Sequence, residues 1–427
     1  MKIIEKYSFG IGDRFTRQGK AQLEAIQMAN ASGIPIVPVW NKSNREHQIV
    51  KSHPSVTRNE AEAAVKSMNY KGNWYVDADH INLGNVDKFI EHSNFFTIDV
   101  ADYIAKPAEP GELSQMIRKL QAFSGTLDIP GIEEPFYVPE KSIEEIASMF
   151  YSAVKEAALI YQHIKDTRGK EDFVAEISMD EVDRAQTPVE LFFILVMIDS
   201  FNIPVQTIAP KFTGRFNKGV DYVGDAKLFR KEFEQDLLVI DHVVNSFNLP
   251  ENLKLSVHSG SDKFTIYPII GELIKKYDKG IHVKTAGTTW LEEVIGLAMS
   301  GGEALQMAKL IYKNAYTRMD ELCGPYATVI DIEKKKLPLP ETVDSWDSEK
   351  FANTLRHIPG HPDYDPMFRQ LIHVGYKVAA ELGDEYLNML QTHKQIVGQQ
   401  VTENIYDRHI RRMFGEGARH KAQGARQ

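Results

Sequence analysis

The chain has 427 residues, of which 43% are hydrophobic, 26% are charged and 10% are aromatic. This is the composition of a globular protein, and it excludes collagen, low-complexity polymers and wholesale disorder. Lys and Arg total 50 and Asp and Glu total 59, and the formal charge of −9 argues against a generic nucleic-acid binder. The single cysteine, Cys323, can form neither an intrachain disulfide nor a thiolate zinc site, which indicates a reducing compartment.

The N-terminus has no apolar signal-peptide core. The longest apolar run, at residues 191–198, is far shorter than the ~20 residues that cross a bilayer, and a buried helix face explains it better. The sequence therefore predicts a soluble, cytoplasmic protein that binds neither a membrane nor nucleic acid. Whether it forms a homo-oligomer stays open.

Short β-rich runs alternate with longer amphipathic stretches along the chain. Residues 1–33 open with a loop at 9–14 and continue as a helix. Eight strands are then predicted, at 34–40, 74–79, 95–100, 173–177, 205–209, 253–258, 281–285 and 326–330. Helical spacing of apolar residues predicts helices at 60–68, 143–164 and 228–247, and Thr187-Pro188-Val189-Glu190 is typical of a capped helix start.

Eight strands that alternate with helices favour a closed parallel (β/α)8 barrel, a TIM-type α/β fold, over an open doubly wound sheet. The barrel is predicted to occupy residues 1–331, with residues 1–33 as an N-terminal addition and an insertion near 124–170. Residues 332–427 are predicted to form a helical C-terminal extension. Its Gly- and Arg-rich tail at 415–427 is predicted to be disordered.

The string Asp77-Ala78-Asp79-His80 marks the end of a predicted strand. Side chains alternate along a strand, so Asp77 and Asp79 share one face, and the carboxyl ends of barrel strands form the catalytic face. A carboxylate beside an imidazole suits a base next to a metal ligand. The alternative is a hydrogen-bonded turn, which Asp and Asn favour without any catalytic role.

Glu176 lies near the end of an apolar strand. A carboxylate inside a barrel is costly unless it meets a metal, a cation or the substrate, which favours a functional role. The alternatives are an outward-facing side chain or half of a buried ion pair. Asp180 and Glu181 follow in the loop and are typical of cap or loop residues.

His258 closes the strand at 253–258, and the next residues, Ser259-Gly260-Ser261, offer amides and hydroxyls that suit an anion. Asp262 is predicted to cap the helix that opens at Phe264. A structural histidine bonded to a carbonyl is the alternative reading of His258.

His282 and Lys284 share one face of the strand at 281–285. Lys284 suits a substrate carboxylate or carbonyl, or alternatively pairs with an inward acid. His282 lies early in the strand, so geometry alone leaves open whether it reaches the catalytic face.

The strand that contains Gln206 runs into a loop with three cations, Lys211, Arg215 and Lys218. Such a loop suits an anionic ligand, and a solvated basic loop is the alternative. By contrast, Gly10-Ile11-Gly12-Asp13 is not a dinucleotide fingerprint, because the third glycine is missing and no clear strand precedes it. Taken together, acids and histidines at four strand ends indicate a metal held by imidazoles, with carboxylates as acid and base.

Five strings of the chain resemble the bacterial tagaturonate epimerases. They are FGIGDRF at 9–15, YVDADHIN at 75–82, QTIAPKFTG at 206–214, SVHSGSDKF at 256–264 and KTAGTTW at 284–290. The resemblance runs from about residue 7 to the stretch at 404–412. It implies an enzyme of hexuronate catabolism that uses a divalent metal, such as zinc or manganese, to interconvert D-tagaturonate and D-fructuronate.

The resemblance also implies roles for individual residues. It places the base on Asp79, the acid on Glu176 and the metal ligands on His80, His258 and His282. The expected substrate-binding residues, for an anionic hexuronate, are Lys211, Lys284, Gln206, Arg215 and Asp262.

The two uronates differ at C4 of the ketose, whose hydrogen is not activated by an adjacent carbonyl. Retro-aldol cleavage of C3–C4 followed by re-addition is one route to inversion, and transient hydride removal by bound NAD is a second. Two alternative functions remain at this level: an isomerase or aldolase that acts on a related keto acid, and a catalytically silent sugar-acid-binding barrel.

Overall fold

The computed structural model describes residues 2–180, 182, 184–285 and 288–415. The strands are β1 (Tyr7–Gly12), β2 (Ile36–Ser43), β3 (Tyr75–Ile81), β4 (Phe95–Asp99), β5 (Gly125–Leu127), β6 (Phe136–Val138), β7 (Val174–Ser178), β8 (Thr207–Ala209), β9 (Lys254–His258) and β10 (Ile281–Lys284). Eight of them form a closed, all-parallel barrel in the order β1-β10-β9-β8-β7-β4-β3-β2. The TIM-type barrel predicted from the sequence is therefore confirmed.

Helices surround this barrel and continue beyond it. They are α1 (Gly19–Ala31), α2 (Asn44–Ile49), α3 (Pro54–Ser67), α4 (Pro110–Leu120), α5 (Glu140–Arg168), α6 (Pro188–Ser200), α7 (Ala226–Ser246), α8 (Tyr267–Lys276), α9 (Thr288–Ser300), α10 (Gly302–Thr317), α11 (Met319–Cys323), α12 (Pro340–Asp344), α13 (Ser348–Leu355), α14 (Pro366–Val374), α15 (Tyr376–Leu382), α16 (Asp384–Thr392), α17 (Lys394–Glu403) and α18 (Arg411–Phe414). The apolar run at 191–198 lies buried in α6. In the part of the chain that the structure describes, no helix has the length and apolar character needed to span a membrane.

Seven of the eight predicted strands are confirmed, and the eighth is wrong. Residues 326–330 form no strand, because the segment begins with a 3-10 turn, Gly324–Tyr326, and makes no sheet pairing. The eighth barrel strand is β1, in the part of residues 1–33 that was predicted to be a loop within an N-terminal addition. Its two glycines lower the local strand propensity, but pairing with β2 and β10 on both sides fixes the extended backbone.

The lower half of the barrel interior contains an apolar cluster. It is formed by Val37, Val39, Tyr75, Phe95 and Val174, together with Ile4 from the N-terminal segment. This layer closes the bottom of the barrel. Asp79, His258 and Lys284 lie toward the carboxyl ends of their strands, away from this layer.

The connection between β4 and β7 is long because it contains α4, the antiparallel β5–β6 hairpin and the 29-residue helix α5. The sequence places its insertion in this region, near 124–170. The helical region downstream of the barrel begins with α10 and α11, ahead of residue 332, and continues through α12–α18. Residues 416–427, which include nearly all of the tail predicted to be disordered, lie outside the described residues.

Close helix contacts join the C-terminal region to the barrel. Helix α17 packs against α9, and Gly296 in α9 permits this approach, since a Cβ at that position would lie 2.6 Å from Val397 Cα. Gly398 in α17 is different. A Cβ there would meet Ala21 Cβ at 3.5 Å, which is ordinary van der Waals contact.

We expect Gly296→Ala and Gly398→Ala to change stability in opposite directions. Gly296→Ala forces α17 away from α9 and should lower the free energy of unfolding by about 1–3 kcal/mol. Gly398→Ala adds only a helix-favouring methyl group and should raise the free energy by about 0.5–1 kcal/mol. Urea unfolding of both variants measures this, and a loss of similar size in both would contradict the packing described here.

Candidate active site

Residues from several strands meet around one cavity at the carboxyl-terminal mouth of the barrel. The cavity has a volume of about 460 Å³. Its walls include Asp79 and His80 from β3, His258 from β9 and Lys284 from β10. The structure thus brings together the chemically suited residues of three separate strands, at the face where barrel enzymes place their catalytic groups.

The ammonium group of Lys284 lies among three buried carboxylates. Its Nζ is 2.8 Å from Asp77 Oδ2, 2.6 Å from Asp79 Oδ1 and 3.3 Å from Glu176 Oε1. It also donates a 2.5 Å hydrogen bond to Thr97 Oγ1. Burial alone would lower the pKa of Lys284, but the carboxylates outweigh it and hold the pKa well above its ordinary value.

The three carboxylates respond differently to this ammonium. Burial would raise the pKa of each, but for Asp79 the charges of Lys284 and His80 prevail and lower the pKa to about 2. Lys284 and His258 likewise hold the pKa of Glu176 well below its ordinary value. For Asp77 burial prevails, and its pKa rises to about 7. Burial by itself would favour the protonated form of Glu176, but the two cations that contact it favour the ionised form.

His258 bridges two acids. Its Nε2 is hydrogen-bonded to Glu176 Oε1 at 2.8 Å, and its Nδ1 lies 3.1 Å from Asp180 Oδ1. Burial would lower the pKa of His258, but Asp180 and Glu176 outweigh it and raise the pKa to about 9. The imidazole is thus protonated at neutral pH, and its Nε2 donates to the ionised Glu176.

His80 is the neighbour of His258 across the cavity. The two ring centroids are 5.5 Å apart, and His80 Nδ1 lies 3.1 Å from Asp99 Oδ2. The backbone of His80 has φ of +52°, in the left-handed region that non-glycine residues rarely adopt. The register of β3 against β4 shifts between Ala78 and Ile81, the stretch that carries Asp79 and His80 to the cavity.

His282 lies deeper in the barrel. In the register of β9 and β10 it pairs with Ser256, whereas Lys284 pairs with His258, two residues farther toward the mouth. Its Nδ1 is 2.9 Å from Ser8 Oγ, its ring packs on Phe95, and burial lowers its pKa to about 3. The structure therefore brings His80 and His258 together but places the third predicted imidazole in a lower layer.

Two of the expected substrate-binding residues lie away from the cavity. Gln206 is at the opposite end of its strand, where it accepts a hydrogen bond from Ile4 N and donates one to Lys2 O. Asp262 does not cap a helix, because α8 begins only at Tyr267 and has no side-chain cap. Instead Asp262 is fully buried against Arg369 Nη2, at 2.6 Å.

The basic loop after β8 does line the cavity, through Lys211, Arg215 and Lys218. Arg215 also pairs with Asp331 at 2.8 Å. The segment that was predicted to be a strand contributes the facing wall, through Pro325, Tyr326, Thr328 and Val329. Lys218 N donates to Val329 O at 2.8 Å, so the loop and this wall are joined by a backbone hydrogen bond.

The donors present suit a divalent cation only in part. His80, His258 and Asp180 supply imidazole and carboxylate groups of the kind that bind zinc or manganese. Among the described residues, however, no group of three or more His, Cys, Asp or Glu side chains is arranged as a metal site. The predicted set of three imidazoles does not fit, since His282 lies one layer below the other two.

Several site residues were missed from the sequence. Asp180 was read as a loop residue, and Glu181 lies outside the described residues. Thr97 and Thr207 donate hydrogen bonds to Glu176, but a single threonine in a strand gives no sequence signal. Asn41 on β2 also lines the cavity, and its position at the carboxyl end of a strand was the one available clue.

Comparison with known proteins identifies close architectural relatives. The sequence profile of the UxaE tagaturonate epimerase family matches residues 2–413. The tagaturonate/fructuronate epimerase of Thermotoga maritima is 26% identical over 417 residues, which cover 94% of this chain and 80% of that protein. A crystal structure of fructuronate-tagaturonate epimerase UxaE from Cohnella laeviribosi with one bound glycerol gives a TM-score of 0.80 at 21% identity. It covers 96% of this chain and 82% of that chain. The native form of that enzyme gives a TM-score of 0.79.

We expect Lys284→Met to disrupt the site through charge. Removal of the ammonium leaves three buried carboxylates without their shared cation, which should lower the free energy of unfolding by about 3–5 kcal/mol. The double variant Lys284→Met/Asp77→Asn also replaces one of the three carboxylates by a neutral amide. It should therefore recover part of the lost free energy of unfolding. Urea unfolding measures both, and a double variant no more stable than the single one would show that the carboxylates do not depend on Lys284.

Proposed function

The chain belongs to the tagaturonate epimerase family, and on that premise we propose that it interconverts D-tagaturonate and D-fructuronate by inverting C4 of the ketose. The observation that carries this proposal is the pair of carboxylates, Asp79 and Glu176, that share the Lys284 ammonium at the mouth of the barrel. The lack of a membrane-spanning helix among the described residues and the single cysteine are compatible with work in a reducing cytoplasm.

Inversion at C4 requires more than enolisation, because C4 is β to the C2 ketone. In the route we propose, the C3–C4 bond breaks, C4 becomes an aldehyde, and the electron pair passes to C3 and the C2 oxygen as an enediolate. Rotation of the aldehyde and re-addition to its other face then give the epimer. The C4 hydroxyl loses a proton in cleavage and regains one in re-addition, so the site needs a base and an acid.

Asp79 is the base in this proposal. Its low pKa keeps it ionised at neutral pH, and it lies on the wall of the cavity, where a sugar hydroxyl can reach it. The acid role falls on the Glu176–His258 pair, in which His258 carries the proton at neutral pH and the ionised Glu176 accepts its hydrogen bond at 2.8 Å. Thr97 and Thr207 fix the Glu176 carboxylate by donating to its two oxygens.

The carboxylate of the hexuronate needs a cationic partner, since the chain as a whole is acidic. Lys211 and Lys218 line the cavity on the side of the β8 loop, and we place the substrate carboxylate there. Arg215 contributes less to binding in this proposal, because its guanidinium already pairs with Asp331.

A turnover assay tests the function directly. Purified protein should convert D-tagaturonate to D-fructuronate, and Asp79→Asn and Glu176→Gln should each lower kcat by roughly a hundredfold or more. Both substitutions keep shape and hydrogen bonding but delete the titrating group. A folded variant of either kind that turns over at the parent rate would remove that residue from the mechanism, and an inactive parent chain would contradict the proposed function.

We also propose a divalent cation held by His80, His258 and Asp180, which line one cavity but are not arranged as a metal site in the structure, so their side chains would move together to bind it. When bound, it would supply an electrophile for the oxygens of the sugar. His258 would then lose the proton of Nδ1, the nitrogen that faces Asp180, and keep the Nε2 proton that it donates to Glu176. This set omits His282, in contrast to the three imidazoles expected from the sequence.

Metal content distinguishes the two ligand sets. After loading with zinc or manganese and gel filtration, His258→Ala should retain little metal, whereas His282→Asn should retain as much as the parent protein. Elemental analysis gives the metal content, and circular dichroism checks that both variants are folded. Full metal occupancy in His258→Ala would contradict the proposal, and loss of metal in folded His282→Asn would favour the three imidazoles.

A further inference from the structure

Asn41 is a buried amide in the catalytic cavity that lacks hydrogen-bond partners. It lies near the carboxyl end of β2, is 1% exposed and lines the cavity together with Asp79, His258 and Lys284. Neither its Oδ1 nor its Nδ2 has a partner in the structure. An amide offers two donors and an acceptor, and leaving them unused while buried is unfavourable.

Other buried amides of the chain are better satisfied. Gln22 accepts from Trp40 Nε1 at 2.9 Å and donates to Thr289 Oγ1 at 3.0 Å. Asn217 lacks a partner at Oδ1 but donates from Nδ2 to Asp331 at 2.7 Å. An amide that is orphaned at both ends and faces a cavity indicates a group that enters from the cavity.

The barrel geometry gives Asn41 open space on one side. On its other side lie the carboxylates around Lys284. In the strand register it pairs with Gly12 of β1 and with Asp77 of β3. Gly12 has no side chain to fill the interior beside Asn41. At the neighbouring inward position, a Cβ on Gly10 would lie 2.9 Å from Lys284 Cγ, so the glycines of β1 keep this region clear.

Asn41 lies on the opposite side of the mouth from the cations that receive the substrate carboxylate. In the order of the closed barrel, β2 is four strands away from β8 in either direction. The β8 loop carries Lys211 and Lys218. A ligand whose carboxylate is bound by these lysines extends across the mouth toward Asn41, over Lys284 and Asp79.

We propose that Asn41 binds the C1–C2 hydroxyketone end of the hexuronate, and this inference rests on the function proposed above. Nδ2 donates to the C2 carbonyl oxygen, and Oδ1 accepts from the C1 hydroxyl. The C2 oxygen becomes more negative as C3–C4 breaks, so the hydrogen bond from Nδ2 strengthens toward the transition state. Asn41 thereby fixes the direction in which the substrate lies and contributes to kcat as well as to KM.

The test compares Asn41→Leu with the parent protein on D-tagaturonate and on 1-deoxy-D-tagaturonate, which lacks the C1 hydroxyl. The variant should lose roughly 10- to 100-fold in kcat/KM on D-tagaturonate. On the deoxy analogue the parent has already lost the same contact, so the difference between parent and variant should be several-fold smaller. The melting temperature of Asn41→Leu should equal or exceed that of the parent, because an unsatisfied amide is replaced by an apolar side chain.

Two control variants distinguish the proposed role of Asn41 from that of a structural amide and from recognition of the substrate carboxylate. Asn30, in the helix before β2, bonds the backbone of Ile36 through both ends of its amide, so Asn30→Leu should lower the melting temperature and leave the kinetics unchanged. Lys211→Ala should lose equally on the two uronates, because both carry the carboxylate, and should lose much less on neutral D-tagatose.

Each outcome of these measurements either supports or overturns the proposed contact between Asn41 and the substrate. Equal losses of Asn41→Leu on both uronates, or a lower melting temperature with unchanged kinetics, would overturn the proposal and indicate a structural amide that binds buried water. If the parent protein shows no turnover, isothermal titration calorimetry measures the binding of D-tagaturonate to the parent and to Asn41→Leu instead. If the parent binds the uronate but does not epimerise it, the proposed function fails, and weaker binding by Asn41→Leu still supports the contact. If the parent binds no uronate, both proposals fail.

Discussion

The site depends on one buried positive charge. The Lys284 ammonium lies within 3.3 Å of oxygens from Asp77, Asp79 and Glu176, which come from two other strands of the barrel. Three carboxylates could not remain this close in a water-poor interior without a cation between them. The closed barrel makes this arrangement possible, because strands that are distant in sequence direct their carboxyl ends toward one point. Gly10 completes it by leaving the space that the stem of Lys284 occupies.

The barrel could be predicted from the sequence because most of its strands carry local signals. Runs of β-branched and aromatic residues between helical patterns identified seven strands. β1 was missed because its glycines are typical of a loop, and only pairing with two neighbours makes it a strand. Residues 326–330 show the reverse case. Their composition favours a strand, but no sheet edge remains open in a closed barrel, and the segment forms a wall of the cavity instead.

The sequence predicted which types of residue lie at the site better than it predicted how deep in the barrel each of them lies. The sequence singled out acids and histidines at strand ends, and the structure brings Asp79, His80, His258 and Lys284 to one cavity. What the sequence lacks is the stagger between strands, which places His282 a layer below His258 and Gln206 at the bottom of the barrel. Asp262 was misplaced for another reason. Its partner Arg369 lies 107 residues away in α14, and local sequence contains no trace of such a contact.

That distant contact gives the C-terminal helices a function at the mouth of the barrel. The Arg369 guanidinium donates to Asp262 in the loop after β9 and, through Nε, to Gly219 O in the loop after β8. One loop follows His258 directly and the other carries Lys211 and Lys218. Because a single fully buried side chain joins them, these loops hold His258 and the two cavity lysines at a fixed separation. Through Arg369, the extension beyond the barrel therefore fixes the relative position of the two loops that flank the cavity.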